Sequence, residues 1–294
     1  MTLLALTWLL LGLGLPVWFP GCALKPQPRQ RVVIGGVTVL EDNSGTDAGI
    51  QNNRGIAKLL QGDVEGAVVD FKEAVRLDPQ EAGYYENLGW ALSEARQNRD
   101  ALAALDEAVR LSPKDSELYW KRGVIRGRLG FYTGAIKDFT QALAIDPALG
   151  KAYTDRAVAK ARLRDFSGAI ADATEALRLD PADPAAAQAR GYARLQVGAI
   201  DDALDDLTRA LAVRQNDPTL YVMRAETKAL QRDYGGAQAD LDEAIRLKPD
   251  SVQAYRLRAE IKQQEGDLPG ATADREAAAR LDLKPGAPTS GPAR

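Results

Sequence analysis

The sequence predicts an all-α protein, a solenoid of seven helical hairpins that are each 34 residues long. Alanine recurs at this interval without an insertion in two parallel series, and the residues between the alanines follow helical spacing. A fixed period of about 20 to 50 residues is the signature of a repeat architecture. The first series is Ala67, Ala101, Ala135, Ala169, Ala203, Ala237 and Ala271, and the second runs from Ala74 to Ala278.

The seven units together span 48–285, and we number the positions of each unit from 1 to 34. The sequence of each unit predicts two helices. Positions 8, 20 and 27 carry Gly or Ala, which lets the two helices approach closely. In the third unit, apolar residues follow the i, i+3, i+4, i+7 spacing of one helical face, as Ala135, Ile136, Phe139, Ala142 and Leu143. Leu-Asp-Pro ends the second helix in two units, for example at Leu179, Asp180 and Pro181, because proline restricts the residue before it.

Such a hairpin cannot bury its own apolar face, so stacking of the seven units predicts one continuous core. In the last unit, core positions become Thr272 and Arg275, which indicates a polar cap. The tail 286–294 is rich in Pro and Gly, and we expect it to be disordered.

Small residues at positions 8, 20 and 27 recur in every unit, and Pro occupies position 32 in five units. This combined pattern resembles the tetratricopeptide repeat (TPR) family. The resemblance implies a right-handed TPR superhelix whose first helices line a concave groove. It also implies a non-catalytic scaffold that binds a protein or peptide partner in that groove.

The groove positions of the resembled family predict an aromatic and aliphatic floor flanked by arginine. Such side chains concentrate binding energy at interfaces. The alternative for the two tryptophans is that they cover the shoulders between hairpins. The last two units carry Glu226 and Glu260, so the groove is expected to become acidic at its end. The predicted groove residues are Trp90, Trp120, Val124, Arg128, Val158, Arg162 and Tyr192.

A charge pattern recurs inside six of the seven units, with Arg at position 7, Lys or Arg at position 11 and Asp at position 23. The second unit departs at all three positions together, with Leu88, Leu92 and Ala104. Loss within one unit predicts that Arg and Asp pair within a hairpin and have a structural role. The predicted pairs are Arg54 with Asp70, Arg122 with Asp138, Arg156 with Asp172, Arg190 with Asp206, Arg224 with Asp240, and Arg258 with Asp274.

The first residues differ from the repeats. Residues 3–19 form an uncharged apolar run that ends before Cys22, and 1–21 resemble a signal peptide. Gly21 and Cys22 resemble a bacterial lipobox, in which the cysteine is lipidated, although Phe19 and Pro20 depart from the usual residues. This resemblance predicts an exported lipoprotein held at the membrane and facing the periplasm.

The N-terminal region has an alternative interpretation. The first basic residue, Lys25, follows the apolar run, and this layout favours an uncleaved anchor with the repeats on the cytoplasmic side.

Residues 22–47 are interpreted as a tether that contains a short β-hairpin around Gly35 and Gly36. The hairpin either docks on the solenoid, pairs with a partner strand, or belongs to a flexible tether.

Composition narrows the function classes. The 294 residues include no histidine and one cysteine, which excludes Ser/His/Asp and Cys/His catalysis and histidine-ligated zinc. With a net charge of −3, the chain has no overall positive potential that would attract nucleic acid. We find no phosphate-binding loop or nucleophile elbow. The sequence therefore predicts a protein that is not an enzyme and that needs no cofactor or metal. Resembled proteins imply roles such as building secretion or pilus machines.

Overall fold

The computed structural model describes residues 31–34, 37–40 and 46–283. Each 34-residue unit contains two helices, which follow one another along the chain at regular intervals. They are α1 (Asp47–Leu60), α2 (Val64–Leu77), α3 (Ala82–Glu94), α4 (Asn98–Leu111), α5 (Ser116–Arg128), α6 (Tyr132–Ile145), α7 (Gly150–Arg162), α8 (Phe166–Leu179), α9 (Pro184–Gln196), α10 (Ile200–Val213), α11 (Pro218–Leu230), α12 (Tyr234–Leu247), α13 (Val252–Glu265) and α14 (Leu268–Asp282).

Local chemistry defines both ends of the helices. Asp63, Asp165, Asp233 and Asp267 cap even-numbered helices, each accepting a hydrogen bond from the backbone N–H three residues later. The chain reverses between the two helices of every unit through position 15, which has positive φ in all seven units. The even helices end where an extended residue precedes the next unit, as at Asp180, before Pro181.

The core lies between neighbouring helices. The seven alanines at position 20 are all 0% exposed, and those at position 27 are at most 3% exposed. Among the described residues, each helix contacts the next helix in the chain, and each odd-numbered helix also contacts the next odd-numbered one. The odd helices therefore form one layer and the even helices the other. This arrangement confirms the predicted all-α solenoid of seven hairpins.

Two short strands precede the first helix. Strands β1 (Arg31–Ile34) and β2 (Val37–Leu40) pair antiparallel, with Val32 opposite Val39. Strand β2 lies against α3 and α1, which both belong to the odd-numbered layer. The hairpin is thus placed on the odd-helix side of the first two units.

Several sequence predictions fall outside the described residues. They are the signal peptide 1–21, the lipidation site Cys22 and the tail 286–294, and they stay predictions. Within the described part of the chain, no helix is long and apolar enough to cross a membrane.

Candidate functional site

The recurring arginine and aspartate pair within each hairpin. In all six units that carry them, the guanidinium at position 7 of the odd helix donates two hydrogen bonds to the carboxylate at position 23 of the even helix. The N–O distances are 2.5–3.0 Å. Bidentate pairs of this kind are the strongest and most directional ion pairs in proteins. We call each set a clasp: Arg54–Asp70, Arg122–Asp138, Arg156–Asp172, Arg190–Asp206, Arg224–Asp240 and Arg258–Asp274.

A second cation completes each clasp. The basic residue at position 11 approaches the same carboxylate at 2.7–2.9 Å in all six units, as Lys160 does with Asp172. The six aspartates are 1–5% exposed. The hydrogen bonds from Arg54 lower the pKa of Asp70 below its ordinary value, against the opposing effect of burial. Each clasp carboxylate therefore lies in the interior against two cations.

The clasp arginines also connect consecutive units. Nη1 of Arg122 lies 3.0 Å from a carboxylate oxygen of Asp106 in the preceding unit, and Nη1 of Arg156 lies 3.1 Å from the hydroxyl of Thr140. The guanidinium of Arg122 also lies over the ring of Tyr119, 5.4 Å from its centroid. Arg190 and Arg258 have equivalent partners in their preceding units. These four clasp arginines therefore act in packing, and they are not free to bind an external anion.

Partner binding would use the inner face, which we define as the side of the odd-numbered helices that faces away from the even-numbered layer. At its N-terminal end this face is covered: Asn52 and Glu86 are 0% exposed, and Ile56 is 6% exposed. Glu86 forms a buried ion pair with Lys121 at 2.8 Å. Strand β2 lies on the same two helices.

Trp120 lies half-buried between the third and fourth units. Its indole N–H donates to Oδ2 of Asp155 at 2.7 Å, and Nζ of Lys151 lies 3.7 Å from the ring centroid. Burial raises the pKa of Asp155 above its ordinary value, although the Trp120 hydrogen bond opposes this. Lys151 is in turn paired with Glu117 at 2.7 Å. Most of the binding capacity of this tryptophan is therefore used within the molecule.

Trp90 is also half-buried, with cations on its ring. Nζ of Lys121 and the guanidinium of Arg128 lie 5.5 and 5.9 Å from its centroid. Arg128 remains exposed and donates a hydrogen bond to Ser93 at 2.5 Å. Val124 is half-buried and packs with Trp120 against the core of the third unit. These four predicted residues thus lie together on the inner face, and the two tryptophans fit both the groove and the packing interpretation.

The exposed part of the inner face lies in the fourth and fifth units. Val158 is 41% exposed and Tyr192 is 39% exposed. The Tyr192 ring meets Phe166 edge to face, with centroids 6.3 Å apart. Arg162 is exposed and forms no ion pair or hydrogen bond with any described side chain. This patch presents an aliphatic residue, an aromatic residue and an uncompensated cation.

The inner face becomes acidic in the last two units. Glu226 and Glu260 are exposed side chains at the same repeat position in consecutive units. Partial burial and the neighbouring charge of Glu260 raise the pKa of Glu226 above its ordinary value. Neither carboxylate has a cationic partner among the residues that the structure describes. From the fourth to the seventh unit, the exposed inner face therefore carries a cation and apolar side chains first and two carboxylates last.

One set of contacts was missed by the sequence interpretation. Side chains at position 5 bond to position 6 of the following unit, 35 residues later, at Asn52–Asn87, Glu86–Lys121 and Trp120–Asp155. The signal was the polar residue pairs at this spacing. Because the partners differ in type at each step, the pattern does not show as a conserved register. No group of side chains suited to hold a metal occurs in the described ranges.

A family model described as tetratricopeptide repeat matches residues 86–149, 154–220 and 222–288. The chain belongs to the tetratricopeptide repeat family. Its proteins are generally non-catalytic scaffolds, and the fold is typical of protein–protein interaction. No curated protein matches the sequence.

Solved structures similar to this TPR chain share its fold. A TPR protein from Parabacteroides merdae is 19% identical, with a TM-score of 0.65 over 81% of this chain and 94% of its own. YrrB, described as a TPR protein with an unusual peptide-binding site, is 23% identical, with a TM-score of 0.51 over 63% of this chain and 95% of its own. The APC/C Cut9–Hcn1 structure is 20% identical, with a TM-score of 0.67 over 73% of this chain, and the match spans 42% of that protein.

Proposed function

We propose that this TPR protein is a membrane-tethered scaffold that binds a segment of a protein partner on the inner face of its fourth to seventh units. The observation that carries the proposal is the exposure of Val158 and Tyr192 at the same repeat position in consecutive units. The same face carries the unpaired Arg162 in the fourth unit and the unpaired carboxylates of Glu226 and Glu260 in the sixth and seventh. Contiguous exposed apolar patches that are rimmed by polar residues are typical of interaction sites.

The charge order favours one orientation of the bound segment. A basic side chain of the partner would lie at Glu226 and Glu260, and an acidic side chain or terminus would lie at Arg162. The apolar residues between them would cover Val158 and Tyr192. Burial of aromatic and arginine side chains supplies most of the binding energy at interfaces, and paired charges supply specificity.

Peptide binding is described for YrrB, which shares the fold. The tether and the export of the chain rest on the sequence of 1–22, where an apolar run ends at Gly21 and Cys22. A scaffold exposed to the periplasm would serve in the assembly of an envelope complex. The alternative, favoured by Lys25 following the apolar run, is an anchored adaptor on the cytoplasmic side.

Capture from an extract of the source cells tests the binding site. The immobilised protein is compared with Val158→Asp and Tyr192→Ala, which place a charge on the patch or remove its aromatic ring. A partner of the inner face should be retained by the native chain and weakened by either substitution. The matched control is Val69→Asp, since Val69 is 63% exposed on α2 of the even layer. A set of captured proteins that is identical for all four chains would contradict the proposal.

The compartment is tested separately in intact cells. An exported lipoprotein should incorporate labelled fatty acid at Cys22, lose the label in Cys22→Ala, and be digested by protease once the outer barrier is opened. Repeats that stay protected until the inner membrane is broken would instead establish the cytoplasmic adaptor.

A further inference from the structure

The first helix of the solenoid carries a stacking surface that nothing in the described chain covers. In units two to seven, position 3 of the odd helix is 0% exposed because the preceding hairpin packs on it. In the first unit this position is Ile50, which is 49% exposed. Position 10 behaves in the same way: it is at most 4% exposed in the other six units, whereas Ala57 is exposed.

The charged group on this surface, the guanidinium of Arg54, also lacks an acceptor that four of its five counterparts have. Arg54 holds Asp70, but its side chain is 54% exposed, compared with 12–19% for the other five clasp arginines. In four of those five, Nη1 bonds to an acidic or hydroxyl side chain at position 25 of the preceding unit. These acceptors are Asp106, Thr140, Thr174 and Asp242.

A third side chain on the same turn is incompletely satisfied. The side-chain oxygen of Gln51 is buried and has no hydrogen-bond partner among the described residues. A buried acceptor without a donor is costly, so most such groups in proteins are paired. We define the end face as Ile50, Gln51, Arg54 and Ala57.

The molecule itself shows what covers such a face. Six times along the chain, the two helices of one hairpin pack on the odd helix of the next unit and bury its positions 3 and 10. The residues at these positions are apolar in most units, with Thr227 as an exception at position 10. A second copy joined head to tail would not provide this, because the last unit ends in the exposed polar residues Thr272 and Arg275. The described C-terminal end of the solenoid is therefore not complementary to the end face.

We propose that the end face binds a helical hairpin of a partner protein. The hairpin presents aliphatic side chains to Ile50 and Ala57 and a carboxylate or hydroxyl group to Nη1 of Arg54. It extends the solenoid by one unit, at a site separate from the inner face of the fourth to seventh units. This interface is independent of the proposed peptide-binding function, so each can fail without the other.

A peptide from the chain provides a probe of the required chemistry. Residues 82–115 form the hairpin whose Asp106 accepts from Arg122 and which covers Leu118 and Ile125. A fluorescent synthetic peptide of this sequence is titrated with the full-length protein, and binding is followed by anisotropy. We expect saturable binding that weakens at least about tenfold with Ile50→Asp, a difference of about 1.4 kcal/mol. The peptide variant Asp106→Lys should weaken binding by a similar factor.

Three controls fix the location of the peptide. Val69→Asp places the same charge on an exposed position of α2 outside the end face and should leave the affinity unchanged. Tyr192→Ala should also have no effect, since it alters the inner face. No saturation up to about 1 mM peptide, where the binding free energy is only about −4 kcal/mol, would overturn the proposal. So would weakening by Tyr192→Ala, or unchanged binding with Ile50→Asp.

Discussion

The second hairpin and the other six have opposite chemistry at the same three positions. Six units contain a clasp, in which a buried aspartate is held by two cations. In the second unit these positions are Leu88, Leu92 and Ala104, which are 8%, 2% and 7% exposed and belong to one apolar cluster with Phe71 and Leu105. Both versions occur between the same kinds of neighbours in one continuous solenoid.

The comparison shows that the repeat does not require charged residues at these three positions. It requires that the three residues match, either as a complete charged set or as a complete apolar set. A buried ion pair compensates the desolvation of its ions only when every member is present, and a well-packed apolar set of similar volume is often as stable. A partly replaced clasp would be worse than either arrangement, because it leaves a charge buried without its partner. This explains why the second unit differs at all three positions together.

The largest effect is expected from breaking one clasp. Asp172→Leu leaves Arg156 and Lys160 facing a buried apolar side chain, and it should lower the free energy of unfolding by about 3–5 kcal/mol. Adding Arg156→Leu should recover part of this loss. The triple variant Arg156→Leu, Lys160→Leu, Asp172→Ala reproduces the pattern of the second unit and should recover most of it. Urea denaturation followed by circular dichroism measures all three.

Equal destabilisation in the single, double and triple variants would show that the carboxylate acts by itself and that the pairing has no energetic role. Thr140→Val is a useful control, since it leaves the clasp intact and removes the acceptor that Arg156 uses in the preceding unit. It also removes the exposed bond that the hydroxyl donates to the backbone carbonyl of Ile136. Its effect should be about 1 kcal/mol, the usual net contribution of one hydrogen bond.

A smaller difference should appear on acidification. The pKa of Asp70 is lowered in the folded state by its bonds to Arg54, so the folded state binds fewer protons there than the unfolded state. The stabilisation is complete above the ordinary aspartate pKa of about 4 and is lost as the pH falls toward the lowered value. We expect the triple variant Arg54→Leu, Lys58→Leu, Asp70→Ala to lose less stability than the native chain between pH 7 and pH 3. Urea midpoints across this range test it, and parallel curves would contradict the assignment.

Most of the fold could be predicted from the sequence, because a solenoid repeats one local solution. The alanine registers and the helical spacing of residues such as Phe139 and Leu143 specify each hairpin and its stacking without any long-range information. The clasp could be predicted as well, since the second unit lacks all three members at once. That inference needs only the 34-residue spacing of the charged residues and the energetic cost of burying an unpaired charge.

The candidate binding surface could be predicted only in part. Repeat position alone did not reveal that the indole of Trp120 is bonded to Asp155, or that Ile56 is buried while Val158 is exposed. The first fact depends on which residue the following unit supplies, and the second depends on what packs against each unit. Equivalent positions in a repeat share backbone geometry, but their exposure depends on what covers them.

The smallest predicted effect concerns the turn between the two helices of each unit. Position 15 has positive φ throughout, and it alternates between glycine in units one, three, five and seven and arginine in units two, four and six. A residue other than glycine in this conformation costs about 1–2 kcal/mol, partly offset by the greater freedom of glycine in the unfolded chain.

Arg164→Gly should therefore raise the free energy of unfolding by about 0.5–1 kcal/mol, and Gly198→Arg should lower it by a similar amount. The two changes exchange the residues of adjacent units without altering any clasp, so the double variant should restore the native stability. Thermal and urea unfolding of the three variants measure these differences. If Arg164→Gly also lowers the stability, the arginine side chain must contribute a contact that outweighs the backbone cost.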